Sequence, residues 1–215
     1  MTSAPRFLLH GIWLSGPTYK VALFLSLAGE AFDFELVNLR EGAHKQPGYM
    51  AKQRYGQVPL LEDRSNGRAL CQAASILEYL ADVTGKMGGA TLDERIRARE
   101  WMFWDYDRFA TPIYRCRGVK AGYRQAPEAA VAMWTAEGEA ALAVLDAHLK
   151  GRAFVVGEGP TMADVDLYGV ASYAEAGGFA LDAYPAIQAW MARMEALPGF
   201  GRPEDIVPKE TRITV

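Results

Sequence analysis

The sequence predicts a mixed α/β domain built on a small four-stranded sheet, followed by a domain made only of helices. Two observations carry this prediction. Strand and helix patterns alternate up to residue 84, whereas only helical periodicity follows the glycine-rich stretch at residues 85–89. Such a change at a linker marks a domain boundary. We therefore place the first domain at residues 1–84 and the helical domain at residues 91–215.

The first half of the α/β domain is predicted to be a strand, a helix and a second strand. Residues 6–10 form a short apolar run, and residues 17–28 carry apolar side chains at helical spacing before Gly29. Residues 32–39 alternate apolar and acidic side chains, as a half-buried strand does, and a polar loop follows at residues 40–47. A right-handed crossover through the helix makes the two strands parallel.

A hairpin and a helix complete this domain. Residues 58–62 and 68–71 flank a polar turn containing Asn66 and Gly67, a pair that favours the positive φ angles of a hairpin turn. A helix with an apolar stripe follows the second strand. The order strand, helix, strand, short helix, hairpin, helix is the thioredoxin-like one.

Four helices with apolar stripes are predicted beyond the linker. The first, residues 94–118, contains Pro112, which removes a helical hydrogen bond and should bend the helix. The other three cover residues 127–150, 163–176 and 185–196. Thr161 and Asp164 form a capping box ahead of the third helix, with a role in folding. Loss of that cap in Asp164→Ala should cost roughly 1 kcal/mol.

Composition excludes several classes of function. Half of the residues are hydrophobic and the formal net charge is only −3, so no nucleic-acid partner is expected. Cys71 and Cys116 lack the spacing of a zinc site or a redox pair, which indicates a reducing compartment and no metal. No window approaches the roughly 20 apolar residues of a membrane span, and the N-terminal apolar run is too short for a signal peptide. We expect a cytoplasmic protein.

Four segments resemble the glutathione S-transferase family, and the resemblance covers nearly the whole chain. Residues 15–21 resemble the family's first loop and helix start, residues 55–61 the segment before its third strand, and residues 72–80 the helix after its hairpin. Thr161 and Asp164 resemble the capping motif of its helical domain. Each segment alone is a weak signal, whereas their order and spacing together are specific. The resemblance implies glutathione as a bound cosubstrate.

The resemblance assigns catalysis to Ser15. Only the thiolate of glutathione attacks an electrophile efficiently, so the protein must lower the pKa of a thiol that is mostly protonated at neutral pH. Ser15 lies just before the helix opened by Pro17, where a hydroxyl and backbone N–H groups can stabilise a sulfur anion. A plain helix N-cap is the alternative role for this serine. Thr18 and Tyr19 are the alternative catalytic residues.

The resemblance also implies binding residues for two parts of glutathione. Gln57, Val58 and Pro59 resemble the family's cis-proline segment, whose backbone pairs with the cysteinyl part as an added strand would. Gln72 and Ala73 resemble the helix start that binds the γ-glutamyl carboxylate. Ala73 departs from the family because it replaces the usual serine. The lost hydrogen bond is worth roughly 0.5–1.5 kcal/mol, so weaker glutathione binding is expected.

A third part of glutathione, its glycyl carboxylate, is predicted to contact His44 and Lys45. Both residues fall in the polar loop, in a region that some family members use for this group, and a cation there would complement the anion. The alternative is that both side chains are merely solvated.

Four aromatic residues are predicted to form the apolar wall for the electrophile. Trp13 lies in the loop beside the thiol site, and Phe103, Tyr106 and Tyr114 lie on the first long helix. Aromatic residues at helical spacing also fit a plain core, which is the alternative for each of them.

We therefore expect a glutathione transferase that joins the glutathione thiolate to a small, largely apolar electrophile, and a homodimer, as is usual in the family. Glutathione-dependent isomerisation or dehalogenation is an alternative reaction. A non-catalytic binding or regulatory protein is an alternative of another class, which Ala73 keeps open. A glutathione-dependent disulfide reductase ranks lowest because no cysteine lies near Ser15.

Overall fold

The computed structural model describes residues 4–214, which divide into two compact units. The first comprises the described residues up to Lys86 and those from Pro198 onward, and the second is Met87–Leu197. The first unit contains a mixed sheet, and the second consists of helices and their connections. The predicted architecture, an α/β region followed by a helical one, is confirmed.

Four strands and ten α-helices follow one another along the described chain. In order they are β1 (Phe7–Gly11), α1 (Gly16–Ala28), β2 (Phe32–Leu36), α2 (Pro47–Met50), β3 (Leu60–Asp63), β4 (Arg68–Cys71), α3 (Ala73–Thr84), α4 (Leu92–Trp104), α5 (Ala110–Lys120), α6 (Glu128–Leu149), α7 (Met162–Ala171), α8 (Ala174–Gly177), α9 (Pro185–Glu195) and α10 (Pro203–Ile206).

The sheet of the first unit has the strand order β2-β1-β3-β4. β1 is parallel to β2, as the crossover through α1 predicted, and it is antiparallel to β3. β3 and β4 form the predicted hairpin, and Gly67 in its turn has a φ of 71°, the left-handed conformation that glycine adopts without strain. α1 and α3 pack against each other.

Buried Asp63, at the end of β3, ties the hairpin to its surroundings. Its carboxylate accepts hydrogen bonds from the Arg6 guanidinium, from the Ser65 backbone N–H and hydroxyl, and from the Tyr79 hydroxyl at 2.6 Å. Burial alone would raise the pKa of Asp63, but these donors outweigh it and hold the pKa well below its usual value. The carboxylate is therefore ionised at neutral pH and stabilises the folded hairpin.

The residues from Pro198 onward belong to the first unit, although the sequence pattern predicts them in the helical domain. Phe34 of β2 and Arg212 exchange two backbone hydrogen bonds, of 2.8 and 2.7 Å. The Thr214 N–H and hydroxyl both donate to the carboxylate of Asp33, which neighbours Phe34. This segment therefore covers the outer edge of β2, an edge that would otherwise expose unpaired backbone groups.

The first long helix of the second unit changes its winding at one point. A π-helical turn, Asp105–Phe109, separates α4 from α5, whereas the sequence predicts one continuous helix bent by Pro112. Proline acts on the carbonyl four residues before it, here that of Arg108, which lies in the π-helical turn. The wider turn thus occupies the place where the proline disrupts the regular bonding.

Asp164 caps α7, as predicted, and is also a buried hub of the second unit. Its carboxylate accepts from the Thr161 N–H at 2.8 Å and the Thr161 hydroxyl at 2.9 Å. It also accepts from the Val155 N–H at 2.8 Å and the Trp190 indole N–H at 2.9 Å. The side chain therefore joins α7, α9 and the preceding loop as well as capping a helix.

Candidate functional site

Three of the predicted segments meet at one end of the sheet. His10, near the end of β1, pairs with Leu60 at the start of β3, and Leu60 pairs with Cys71 at the end of β4. The loop after β1, the residues before β3 and the residues after β4 therefore leave the sheet on the same side. These are the segments that carry Ser15, Val58 and Gln72.

Ser15 is the N-cap of α1. Its backbone is extended, and its hydroxyl oxygen accepts a hydrogen bond from the Thr18 N–H at 3.2 Å. A hydroxyl that accepts one bond keeps its own proton for donation to a second partner. Accepting a bond also polarises the hydroxyl and makes it a better donor. The cap and the catalytic role, which the sequence left as alternatives, are thus compatible.

The other two catalytic candidates are buried away from the surface. Thr18 is fully buried and lies so close to Gly11 that a Cβ added there would clash with its side chain. Tyr19 is also fully buried, and its hydroxyl donates to the carbonyl of Gly201 at 2.9 Å. Ser15 is only half-buried. The burial pattern therefore favours Ser15 as the hydroxyl that can reach a ligand.

The Val58–Pro59 peptide bond is cis, as the resemblance implied. Val58 is half-buried between exposed Gln57 and buried Pro59. The Gln72 side-chain amide donates to the Gln57 side-chain oxygen at 3.1 Å, which joins two predicted binding residues from different segments. This contact places the segment before β3 beside the start of α3.

The start of α3 has an unusual backbone. Gln72, its N-cap, has a φ of 68° and a ψ of 119°, a conformation that costs a non-glycine residue roughly 1–3 kcal/mol. Ala73, the first residue of the helix, is buried. Residues in such conformations cluster at binding and active sites, where the surrounding structure holds them.

His44 and Lys45 lie on a short 3₁₀ turn, Ala43–Lys45. The Lys45 ammonium donates to the carbonyl of Gly56 at 3.0 Å, so one of its three protons already has a partner within the chain. His44 is half-buried. Sequence reasoning missed a neighbour, Tyr49, whose hydroxyl donates to the carbonyl of Gln57 at 2.7 Å.

The four aromatic residues predicted for the electrophile pocket have different surroundings. Trp13, in the loop before α1, is 37% exposed, and the Lys209 ammonium lies 5.7 Å from its ring centre. Phe103, on α4, is 76% exposed, and Tyr106 lies in the π-helical turn. The Tyr114 hydroxyl donates to the carbonyl of Gly169 at 2.8 Å. Their place in a common pocket stays a prediction.

Metal-ligand clusters and membrane-spanning helices are both absent from residues 4–214. No group of three or more histidine, cysteine, aspartate or glutamate side chains in that range could hold a metal ion. Nor does any helix in that range have both the length and the apolar character needed to cross a membrane.

Comparison with known proteins points to one family along both halves of the chain. Residues 17–83 match the family model "Glutathione S-transferase, N-terminal domain", and residues 114–198 match "Glutathione S-transferase, C-terminal domain".

The chain is also similar to individual proteins, and each similarity covers almost the full length of both chains. The chain is 32% identical to a maleylacetoacetate isomerase of Rhizobium meliloti over 93% of this chain and 96% of the relative. It is 29% identical to glutathione S-transferase 3 of Zea mays, over 93% of this chain and 94% of the relative. A crystal structure of a glutathione S-transferase from Pseudomonas fluorescens has a TM-score of 0.87 at 28% identity, covering 93% of this chain and 100% of the other.

Proposed function

Since the chain belongs to the glutathione S-transferase family, we propose that it binds glutathione where its three predicted segments meet and transfers the thiolate to a small electrophile. The observation that carries this proposal is the strand register of His10, Leu60 and Cys71. That register brings a helix-capping hydroxyl, a cis-proline segment and a second helix start to one end of the sheet.

Ser15 is proposed to stabilise the glutathione thiolate. Its oxygen accepts from the Thr18 N–H, so its hydroxyl proton can point to the sulfur. The N-terminal end of α1 adds a positive dipole, which favours the anion over the neutral thiol. Both effects lower the pKa of the bound thiol, and a thiolate can then attack an electrophilic carbon.

The peptide of glutathione is proposed to lie along the segments that Gln57 and Gln72 join. The backbone of Val58 pairs with the cysteinyl part, and the start of α3 at Gln72 and Ala73 binds the γ-glutamyl carboxylate. Lys45 and His44 face the glycyl carboxylate, with the remaining protons of the Lys45 ammonium as donors. Trp13, two residues before Ser15, is proposed to contact the electrophile, with Phe103, Tyr106 and Tyr114 as further candidates.

Isomerisation is a second candidate reaction, and the relative named maleylacetoacetate isomerase, at 32% identity, favours it. In that reaction the thiolate adds to a double bond and leaves again, so glutathione is regenerated. Conjugation consumes the thiol instead. Measuring free thiol during turnover of maleylacetoacetate and of a generic aryl halide therefore separates the two reactions.

A homodimer in the cytoplasm is also proposed. Leu92, Ile96 and Phe103 share one face of α4, at spacings of four and seven residues, and are 71%, 51% and 76% exposed. An apolar stripe of this kind marks an interaction surface on a folded protein. We propose a second copy of the chain as its partner.

The test of the transferase proposal compares Ser15→Ala with Ser15→Gly. Glycine is nearly as good an N-cap as serine, whereas alanine costs about 1 kcal/mol of stability. Both variants lack the hydroxyl, so both should lose about 10²–10³-fold in aryl halide turnover if the hydroxyl stabilises the thiolate. Only the alanine variant should also melt at a lower temperature.

Three results decide between the alternatives. Turnover that survives in Ser15→Gly would assign Ser15 to capping and remove it from catalysis. Binding of glutathione by calorimetry without turnover of any electrophile would favour the non-catalytic alternative. No binding at millimolar glutathione would overturn the proposal.

A further inference from the structure

Three side chains from one segment hold the loop that contains Val58. Lys45, Tyr49 and Gln53 are spaced four residues apart along the segment that contains α2. The Lys45 ammonium donates to the Gly56 carbonyl at 3.0 Å, the Tyr49 hydroxyl to the Gln57 carbonyl at 2.7 Å, and the Gln53 amide to the Pro59 carbonyl at 3.3 Å. These donors, which we call the clamp, reach the backbone on both sides of Val58.

Gln53 is the buried member of the clamp, with 1% of its surface exposed. Its amide N–H donates to the Pro59 carbonyl, while its oxygen accepts from the Tyr55 N–H at 2.9 Å. One side chain thus bridges the two ends of the loop. A buried amide whose donor and acceptor are both used fixes geometry, because any movement would leave a polar group unpaired.

Tyr49 is a donor at any physiological pH. Burial raises the pKa of its phenol, and electrostatic repulsion from the neighbouring Cys71 and Glu35 side chains raises it further. The phenol therefore keeps the proton that it donates to Gln57.

The clamp is itself attached to the sheet through His10. The imidazole of His10 lies 6.2 Å from the ring of Tyr49, edge to face, and its Nε2 lies 2.6 Å from Oε1 of Glu62. Glu62 in turn accepts from the Lys52 ammonium at 2.9 Å. On the other side of the imidazole, Oε2 of Glu35 lies 3.3 Å from Nδ1. The segment around α2 therefore contacts β1 through the rings of Tyr49 and His10, and β3 through the ion pair of Lys52 and Glu62.

We propose that Lys45, Tyr49 and Gln53 are positioning residues that hold the backbone of Val58 in the orientation that pairs with glutathione. The proposal rests on the proposed function, because it assigns the clamp to the same glutathione site. None of the three needs to touch the reacting sulfur. Their effect should therefore fall on the affinity for glutathione and leave the chemical step at Ser15 unchanged.

Tyr49→Phe tests the clamp because it removes one hydroxyl and keeps the ring against His10. The lost bond should raise the Kd and the KM for glutathione by about 3- to 10-fold. The kcat at saturating glutathione should stay within about 2-fold of wild type, since Ser15 is untouched. Tyr123 is an exposed tyrosine of the second unit, so Tyr123→Phe is the matched control and should leave Kd, KM and kcat unchanged.

Gln53→Met is the second variant, of similar size to glutamine but without the donor to Pro59. A rise in KM with an unchanged kcat in both variants supports the clamp. If Tyr49→Phe is folded and binds glutathione as tightly as wild type, the proposed positioning role of the clamp is wrong, while the proposed function is unaffected. If both variants lose the circular dichroism spectrum of the folded protein, these residues are needed for folding, and the proposed positioning role is also wrong. If the wild-type chain binds no glutathione, both the proposed function and the positioning role of the clamp are wrong.

Discussion

Replacing Asp164 by alanine should destabilise the protein far more than the loss of a helix cap. Four donors converge on its buried carboxylate, from Val155, Trp190 and two groups of Thr161. Each hydrogen bond contributes about 1 kcal/mol net to stability, so the four together contribute about 4 kcal/mol. The sequence alone predicted roughly 1 kcal/mol, because it showed only the cap.

Thermal denaturation measures this loss. For a chain of this length, about 4 kcal/mol corresponds to a fall in Tm of roughly 8–16 °C. Asp182→Ala is the matched control, since Asp182 is an exposed aspartate of the same unit and its loss should stay within about 0.5 kcal/mol. A loss of stability of 1 kcal/mol or less in Asp164→Ala would show that Trp190 and Val155 contribute nothing through this carboxylate. It would refute the claim that Asp164 stabilises the second unit beyond the helix cap.

Two further predictions concern assembly and pH. If the stripe on α4 is a dimer surface, Phe103→Glu should convert the dimer to a monomer in sedimentation experiments, while Tyr123→Glu should not; a wild-type monomer would contradict the proposal. The second prediction follows from the lowered pKa of Asp63, whose usual value is 3.8. The stabilisation by this carboxylate is complete well above pH 3.8, decreases as pH falls below that value, and is lost only when pH falls through the lower pKa of the folded protein. Asp63→Asn should therefore be less stable than wild type in urea at pH 7, with a difference that narrows by pH 3, and a constant difference would contradict this reading.

Local signals made much of the first unit predictable. Pro17 and Gly29 bracket α1 as the start and stop rules require, and Asn66 with Gly67 produced the expected hairpin. These rules succeed because the residues that decide each structure lie within a few positions of it. The cis bond before Pro59 has no such local cause, and the family resemblance alone indicated it.

Contacts between distant residues had no signal in the sequence. The pairing of Arg212 with Phe34 joins residues from the two ends of the chain, and no local pattern at either residue selects the other. Tyr49 and Gln53 had no signal either, although the carbonyl groups that they bind lie only eight and six residues away, because the loop that holds those carbonyls carries no side-chain pattern. The four-residue spacing of Lys45, Tyr49 and Gln53 is visible in the sequence, but only the fold shows that the three side chains reach one loop.

The return of residues 198–214 to the first unit, where Thr211 and Arg212 bond to β2, bears on how the protein is made. During synthesis the strands of the first unit leave the ribosome early, but the segment that covers β2 follows only after residues 87–197. Throughout that interval the nascent chain presents an uncovered strand edge, which is a template for pairing with other chains. The exposure ends only when residues 198–214 have been added, and slow translation of the helical region would lengthen it.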